Sequence, residues 1–334
     1  MTSTPSIQTV HDLSTDFQGF ITTGDKYFDE ALGGGILPGT ITELVGSSST
    51  GKTQLALQLS LTVQLPRSQG GLGGSTCYIT TKIALHTQRL LEIQANHPLL
   101  STLSPNETLD RIKTVATDNF PKLLRALKED IHIAKRTLDE SGFPLRLLII
   151  DSVNFVFNTE TKTTAKSLIE RSKEVTELAL ILHRLASENI AILVINDVNS
   201  VFNSNKTSVN KPSDTVIYID QARWFGRGDG ASADGPVEAG MGLVWANQIG
   251  TRIMLTRTGR RRYVPKFRES KRQIVAFDDD NVASSSPRPD DTNSEGTTIA
   301  LRQLSVVFSQ FSAPSTLDYI ITSAGVVSQN AHET

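Results

Sequence analysis

Short segments rich in apolar and β-branched residues alternate along the chain with longer segments in which apolar residues recur every three or four positions. The first pattern predicts β-strands, and the second predicts amphipathic helices. The predicted strands cover residues 41–45, 76–81, 111–116, 145–150, 190–195, 251–257, 299–308 and 317–322. The predicted helices cover residues 52–65, 118–138 and 165–187, with a further helix around residues 90–93.

The strands at 145–150 and 190–195 are apolar almost throughout. Such runs are typical of central parallel strands that are buried on both faces. Because strands also alternate with helices, we predict an α/β fold with a doubly wound, mostly parallel sheet. Asp118 is expected to cap the amino end of the helix at 118–138.

Changes in texture divide the chain into five segments. We expect an N-terminal arm at 1–20, a core at 21–257, a basic and then acidic disordered insertion at 258–296, C-terminal strands of the core at 297–327, and a tail at 328–334. Within the core, the polar and glycine-rich residues 198–240 indicate mobile surface loops.

Composition excludes several classes of protein. With 334 residues the chain is long enough for one large or two small domains. A formal net charge of −2 rules out a wholly basic nucleic-acid coat but leaves room for a local basic groove. The single cysteine, Cys77, excludes a disulfide framework and a cysteine-rich zinc site. The N-terminal residues do not fit a secretory signal and the apolar runs are short, so we expect a soluble protein.

The main chemical signal is the segment GSSSTGKT, which fits the phosphate-binding pattern G-x-x-x-x-G-K-[ST]. Its members are Gly46, Ser47, Ser48, Ser49, Thr50, Gly51, Lys52 and Thr53. A chance match in a Ser/Gly loop is the alternative, but the predicted strand before it and helix after it argue against chance. We expect Lys52 to contact the β- and γ-phosphates of ATP and the Thr53 hydroxyl to bind Mg²⁺.

Asp151 follows the apolar strand at 145–150. An acidic residue in this place can hold the hydration shell of Mg²⁺. An aspartate after a strand is also a common helix cap or turn residue. Together with the phosphate loop, the metal-binding role is the favoured interpretation.

Several separate blocks resemble the RecA-like strand-exchange recombinases and their eukaryotic paralogues, in the order found in that family. The blocks are residues 21–36, 38–44, 242–249 and 251–253. The resemblance runs from about residue 21 to 327, interrupted near 258–296, and is greatest for the fungal mediators of double-strand break repair. It implies a RecA-like ATPase core that uses ATP and Mg²⁺.

The resemblance also implies residue roles. The strand at 78–81 is normally followed by a catalytic glutamate, and here Lys82 stands in that place. Arg89 matches an arginine that packs on the adenine ring, and Asp197 replaces a glutamine that senses the γ-phosphate. Because their charges are opposite, Lys82 and Asp197 are expected to pair across the site, with hydrolysis slow or absent. Alternatively, Lys82 steadies the γ-phosphate while a partner supplies the base.

Two regions are candidates for DNA binding. In the resembled family the loops after Asp151 and Asn196 face the DNA, and the basic residues there are Arg171, Lys173, Lys206, Lys211, Arg223 and Arg227. Plain solvent exposure is the alternative for each of them. A second cluster comprises Arg257, Arg260, Arg261, Arg262, Lys266, Arg268, Lys271 and Arg272. It could bind phosphates, direct nuclear import, or pair with the acidic residues at 278–295.

The leading hypothesis is an ATP-binding accessory, or mediator, protein of homologous recombination that assists a recombinase on single-stranded DNA in the nucleus. Expected partners are another recombinase paralogue and the main recombinase, with which the chain forms a hetero-oligomer. No association with a membrane is expected. About 20 residues precede the core, too few for the helical domain usual in the family, so self-filaments are not expected. The alternatives are an active DNA-dependent ATPase or strand-exchange recombinase, and a small-molecule kinase with a phosphate loop.

Overall fold

The computed structural model describes residues 19–157, 165–200, 233, 235, 237–265 and 296–329. The predicted arm up to residue 18, most of the predicted insertion and the last five residues lie outside these ranges. Among the described residues no helix is long and apolar enough to cross a membrane.

Eleven strands are defined in the described chain. They are β1 (Ile41–Gly46), β2 (Ser75–Thr80), β3 (Ile112–Ala116), β4 (Leu145–Asp151), β5 (Ala191–Asn196), β6 (Val198–Ser200), β7 (Val237–Ala239), β8 (Thr251–Pro265), β9 (Gly296–Ser309), β10 (Ser315–Thr322) and β11 (Gly325–Gln329). All of the strands predicted from the sequence are present, with ends shifted by a few residues except at β8 and β9.

The helices are mostly short. They are α1 (Lys26–Ala31), α2 (Lys52–Thr62), α3 (Thr87–Asn96), α4 (Pro105–Asp110), α5 (Phe120–Arg125), α6 (Ile131–Glu140), α7 (Val153–Phe157), α8 (Ala165–Ala186) and α9 (Gly242–Ala246). A π-helical segment, Ala126–Asp130, joins α5 to α6. The predicted helix at 118–138 is therefore a continuous but irregular helical segment.

Nine strands form one sheet in the order β11-β10-β9-β8-β1-β5-β4-β2-β3. The six strands from β8 to β3 pair in parallel, and β8, β9, β10 and β11 pair successively in antiparallel fashion. This is the predicted α/β class with a mostly parallel sheet. A separate ribbon pairs β6 with β7.

Helices cover the sheet on both faces. In β5, Leu193 and Ile195 point into the cluster that contains α2, whereas Ile192 and Val194 point into the cluster that contains α8. This alternation follows from the two-residue period of a strand. Both faces of β5 are therefore buried, which explains why its sequence is uniformly apolar rather than alternating.

Two sequence expectations need correction. The segment 258–265, expected to begin the disordered insertion, continues β8 and pairs with the start of β9. Polar and apolar residues do not alternate clearly in this segment, because this antiparallel part of the hairpin is largely exposed. The basic composition therefore dominated the prediction. At the helix predicted from residue 118, Asn119 rather than Asp118 is the cap, and its side chain accepts the Lys122 amide.

Candidate nucleotide-binding site

The phosphate loop lies between the end of β1 and the start of α2. Gly46 leaves no space for a side chain, because a Cβ atom there would lie 2.4 Å from the Leu255 carbonyl oxygen of β8. Gly51 has a φ of 106°, a left-handed conformation that favours glycine, at the turn into α2. These two glycines let the backbone wrap tightly and present the amino end of the eleven-residue helix α2.

Lys52 is buried at the first position of α2, where this loop ends. Its Nζ atom donates to the carbonyl oxygens of Gly46 at 2.5 Å and Ser47 at 3.0 Å. It also forms an ion pair with Oδ1 of Asp197 at 3.1 Å. The sequence predicted Lys52 and Asp197 in one site but did not predict their contact.

Asp151 at the end of β4 meets Thr53 at the start of α2. The Thr53 hydroxyl donates to Asp151 Oδ2 at 2.8 Å, although the residues are 98 positions apart. Such a hydroxyl and carboxylate beside a phosphate loop are the oxygen ligands that Mg²⁺ uses in nucleotide sites. The peptide bond between Asp151 and Ser152 is cis.

Tyr78 is a member of this cluster that the sequence analysis missed. Its hydroxyl donates to the same Oδ2 atom of Asp151 at 2.8 Å. Burial, followed by the Asp151 charge and this hydrogen bond, raises the pKa of Tyr78 well above its ordinary value, so the phenol remains a donor. The signal for this contact in the sequence was a tyrosine among the smaller side chains of the segment TCYITT.

The C-terminal strands support the loop from outside. The Tyr319 hydroxyl on β10 donates to the Thr50 carbonyl oxygen at 2.5 Å. Arg302 on β9 donates to the Ser49 carbonyl oxygen at 3.1 Å. The antiparallel half of the sheet therefore holds the backbone of the predicted phosphate site.

An open cleft of about 1400 Å³ lies over the loop. Arg89 of α3 lines this cleft. Its guanidinium donates to Gln54 Oε1 and to the carbonyl oxygens of Thr322 and Ser323, and pairs with Glu92. Arg89 thus links α3 to the β10–β11 turn, with its adenine-packing role remaining a prediction.

Lys82 does not pair with Asp197, contrary to the sequence expectation. It is exposed in the cleft, and its Nζ atom lies 5.2 Å from the centre of the Phe155 ring. Asp197 instead pairs with Lys52, because the end of β5 delivers it to the loop after β1, the neighbouring strand. The opposite charges of Lys82 and Asp197 suggested that these two residues pair, but the lysine that pairs with Asp197 is Lys52.

A buried polar network that the sequence patterns did not predict underlies the site. The Glu43 carboxylate on β1 accepts hydrogen bonds from Asn196 at 2.8 Å, from Trp245 at 2.8 Å and from Arg252 at 2.6 Å. Glu43 and Arg252 are almost completely buried. A glutamate and an arginine inside two neighbouring core strands were the signal, since buried charges require partners.

Only part of the predicted DNA-binding surface lies in the described chain. Arg171 of α8 lies 6.0 Å from the Phe157 ring centre, and Lys173 is exposed. In the second cluster, Arg260 pairs with Asp318, Arg262 contacts Gln329, and Arg261 is exposed on β8.

Arg257 lies on β8 and is exposed, and the remaining predicted basic contacts lie outside the described ranges. They are Lys206, Lys211, Arg223, Arg227, Lys266, Arg268, Lys271 and Arg272.

The donor set fits a magnesium nucleotide. Lys52 and the amino end of α2 supply positive charge, Thr53 and Asp151 supply oxygen atoms, and the cleft is open to solvent above them. In the described part of the chain no group of three or more histidine, cysteine or acidic residues is arranged to hold a metal ion.

Comparison with known proteins agrees with this arrangement. A sequence model of the Rad51 family matches residues 19–217. The DNA repair protein XRCC3 homolog of Arabidopsis thaliana is 29% identical over 322 residues, which cover 93% of this chain and 93% of the relative. The DNA repair protein rhp57 of Schizosaccharomyces pombe is 31% identical over 255 residues, covering 71% and 68%. The DNA repair protein RAD57 of Saccharomyces cerevisiae is 35% identical over 205 residues, covering 59% and 41%.

Proposed function

Because the chain belongs to the Rad51 family of RecA-like proteins, we propose that it is an ATP-binding accessory factor of homologous recombination. It binds ATP with Mg²⁺ at the loop from Gly46 to Thr53 and assists a recombinase on single-stranded DNA during double-strand break repair. The similarity to DNA repair proteins over most of the chain supports this class of function.

The observation that carries the nucleotide proposal is the contact between Thr53 and Asp151. Two separate parts of the sequence, a phosphate loop and the end of an apolar strand, place a hydroxyl and a carboxylate 2.8 Å apart. Lys52 lies in the same loop. The chemistry that Mg²⁺ supplies when bound is neutralisation of phosphate charge, while Lys52 and the loop amides hold the phosphates.

Slow or absent hydrolysis is part of the proposal. Hydrolysis needs a group that orients water and accepts its proton. Lys82 occupies the position where the family resemblance implies a glutamate, and an ammonium group cannot accept a proton. The carboxylate of Asp197 pairs with Lys52, so it is poorly placed to accept the proton from water in place of a glutamate.

Partners complete the proposed role. We expect a hetero-oligomer with another recombinase paralogue and with the main recombinase, located in the nucleus. DNA binding is expected to prefer single strands and to use exposed basic residues such as Lys173 and Arg261.

ATP turnover by the purified full chain tests this function against the alternative of an active DNA-dependent ATPase or recombinase. Turnover is measured with single-stranded DNA, with the chain alone and with candidate paralogues, alongside recombinase loading on the same DNA. The accessory role predicts background turnover alone and faster or more persistent recombinase loading. Robust turnover and strand exchange by the chain alone would favour the alternative instead.

A further inference from the structure

We propose that Asp197 makes this site select nucleoside diphosphate over nucleoside triphosphate. The inference rests on the proposed nucleotide site and specifies which nucleotide it retains. Its basis is the ion pair between Asp197 and Lys52, the lysine expected to hold the terminal phosphates. The Asp197 carboxylate competes with the phosphates of a nucleotide for the ammonium group of Lys52.

The donors of Lys52 are fully used in the structure. A lysine ammonium has three N–H groups and no acceptor. Here the three acceptors are the carbonyl oxygens of Gly46 and Ser47 and the carboxylate of Asp197. An incoming phosphate oxygen must therefore replace one of these partners, and Asp197 is the only one of the three that is a side chain free to rotate away.

Asp197 cannot withdraw far, because its backbone is fixed on both sides. Its amide donates to Asn196 Oδ1 at 2.8 Å, and Asn196 is held in turn by the buried Glu43. Its carbonyl oxygen accepts the Gly240 amide at 3.0 Å. Side-chain rotation moves the carboxylate off Lys52 but leaves its charge beside the phosphate loop.

The terminal phosphate would meet this charge most directly. Ile195, two residues before Asp197, pairs with Asp151 across β4 and β5, so Asp197 projects beyond the edge where Mg²⁺ and the γ-phosphate are expected. Any phosphate oxygen about 2.8 Å from Lys52 Nζ would lie within roughly 6 Å of the position that Asp197 Oδ1 has in the structure. At that distance, inside the Debye length, like charges repel with little screening. The triphosphate brings more negative charge to this point than the diphosphate does.

The experiment measures dissociation constants for fluorescent ATP and ADP analogues in the presence of Mg²⁺, using the full chain. The wild type is expected to bind ADP more tightly than ATP. Asp197→Asn removes the charge while keeping the shape, and it should lower the ratio of the ATP to the ADP constant by about tenfold. Asp197→Glu keeps the charge and should keep a ratio above one.

Glu92→Gln is the matched control. Glu92 is the other acidic residue, besides Asp151 and Asp197, among the described residues that line the cleft, and it pairs with Arg89 rather than Lys52. Removing its charge should change both constants in parallel. ADP affinity, together with the circular dichroism spectrum, reports whether each variant is folded, and Asp197→Ser replaces Asp197→Asn if the latter is not.

The outcomes separate this inference from the proposed function. If both nucleotides bind and the ratio stays the same in Asp197→Asn, the selection is refuted and the nucleotide site stands. If Asp197→Asn weakens ATP more than ADP, the carboxylate assists Mg²⁺ binding and the inference is wrong. If neither nucleotide binds to the wild type or to any variant, the proposed function fails together with the inference.

Discussion

The hydroxyl of Tyr78 donates to the carboxylate of Asp151 at 2.8 Å, from one parallel strand to its neighbour. The oxygen that accepts it also accepts the Thr53 hydroxyl. Tyr78 is buried on β2, so the rest of the sheet fixes its ring. The orientation of the proposed Mg²⁺ carboxylate is therefore fixed by a residue that is almost completely buried.

Replacing Tyr78 by phenylalanine tests this support. In the presence of Mg²⁺ the variant should bind nucleotide about tenfold more weakly. Loss of a hydrogen bond to a metal-binding carboxylate typically costs about 10–100-fold in metal affinity. Titration of Mg²⁺ at fixed nucleotide measures the effect. Tyr27→Phe, at an exposed tyrosine, is the matched control and should bind like the wild type. Equal Mg²⁺ dependence in both variants would contradict the positioning role.

Replacing Lys52 by alanine tests the phosphate site itself. A hydrogen bond to a charged group contributes about 1.5–3 kcal/mol, so nucleotide affinity should fall about tenfold or more. Lys26→Ala, at a lysine on α1 that is mostly exposed, is the control. The measurement is a binding isotherm for each purified variant. Unchanged affinity in Lys52→Ala would remove the basis of the proposed function.

The exchange of both unusual residues should create turnover. In the double variant Lys82→Glu with Asp197→Gln, a carboxylate and an amide replace the present residues at the expected positions. Because a general base contributes typically about 10²–10⁴-fold, DNA-stimulated ATP hydrolysis should rise from background. Lys82→Gln with Asp197→Gln lacks the base and serves as the control. High turnover of the unmodified chain alone would contradict this account.

The arginines of β8 are expected to contribute to the salt dependence of single-stranded DNA binding. If Arg260, Arg261 and Arg262 neutralise phosphates, their replacement by glutamine should reduce the slope of log K against log salt by about 0.7 for each phosphate that is no longer neutralised. The control replaces Lys122, Arg125 and Lys128, on the helical segment 120–130, and makes the same change in net charge. Equal slopes for the two triple variants would assign the β8 arginines to another role.

Acidification should destabilise the fold through His97. Burial lowers the pKa of this imidazole, against the opposing effects of a hydrogen bond with the Gly24 backbone and the charge of Asp25. The unfolded chain takes up a proton near pH 6.5, whereas the folded chain resists it. The free energy of unfolding should therefore fall as pH decreases below about 6.5, by at most about 1.4 kcal/mol per pH unit for one proton, until the folded state is protonated.

Denaturant unfolding at pH 7.5 and 5.5 measures this dependence. His97→Gln removes the titrating group and should show a smaller loss of stability between the two values. Asp29, whose pKa is raised mainly by burial, has the opposite sign, since its contribution is largest at low pH and is lost as pH rises through its folded pKa. An equal loss in His97→Gln and the wild type would exclude His97 as the cause.

Sequence patterns predicted the parallel half of the sheet well, because each central strand is a short apolar run between helices. The hairpin β8–β9 was truncated in the prediction at residue 257, because its outer part is exposed and basic and carries no burial pattern. The phosphate loop and Asp151 could be identified from motif and strand context. Their contact with Tyr78 could not, since it depends on the alignment of β2 with β4.

The charge pairing was the part that sequence reasoning assigned incorrectly. Opposite charges at Lys82 and Asp197 suggested a contact, but residue type alone does not say which of two lysines lies nearer. The order of the strands decides it, because β1 and β5 are neighbours. The loop after β1 leads to Lys52 at the start of α2, and Asp197 follows the end of β5, so the two residues meet. The network around Glu43 was missed for the same reason, since its partners come from distant parts of the chain.

The hydrogen bond between Tyr319 and Thr50 joins residues 269 positions apart. A ribosome adds about 5–20 residues per second, so the phosphate loop emerges roughly 15–50 s before the tyrosine that supports it. Through that interval the nascent chain carries the nucleotide motif without the strand that holds its backbone. A messenger RNA that ends before β10 would therefore yield a polypeptide with the complete phosphate-loop motif. The backbone of that loop would lack the support of Tyr319.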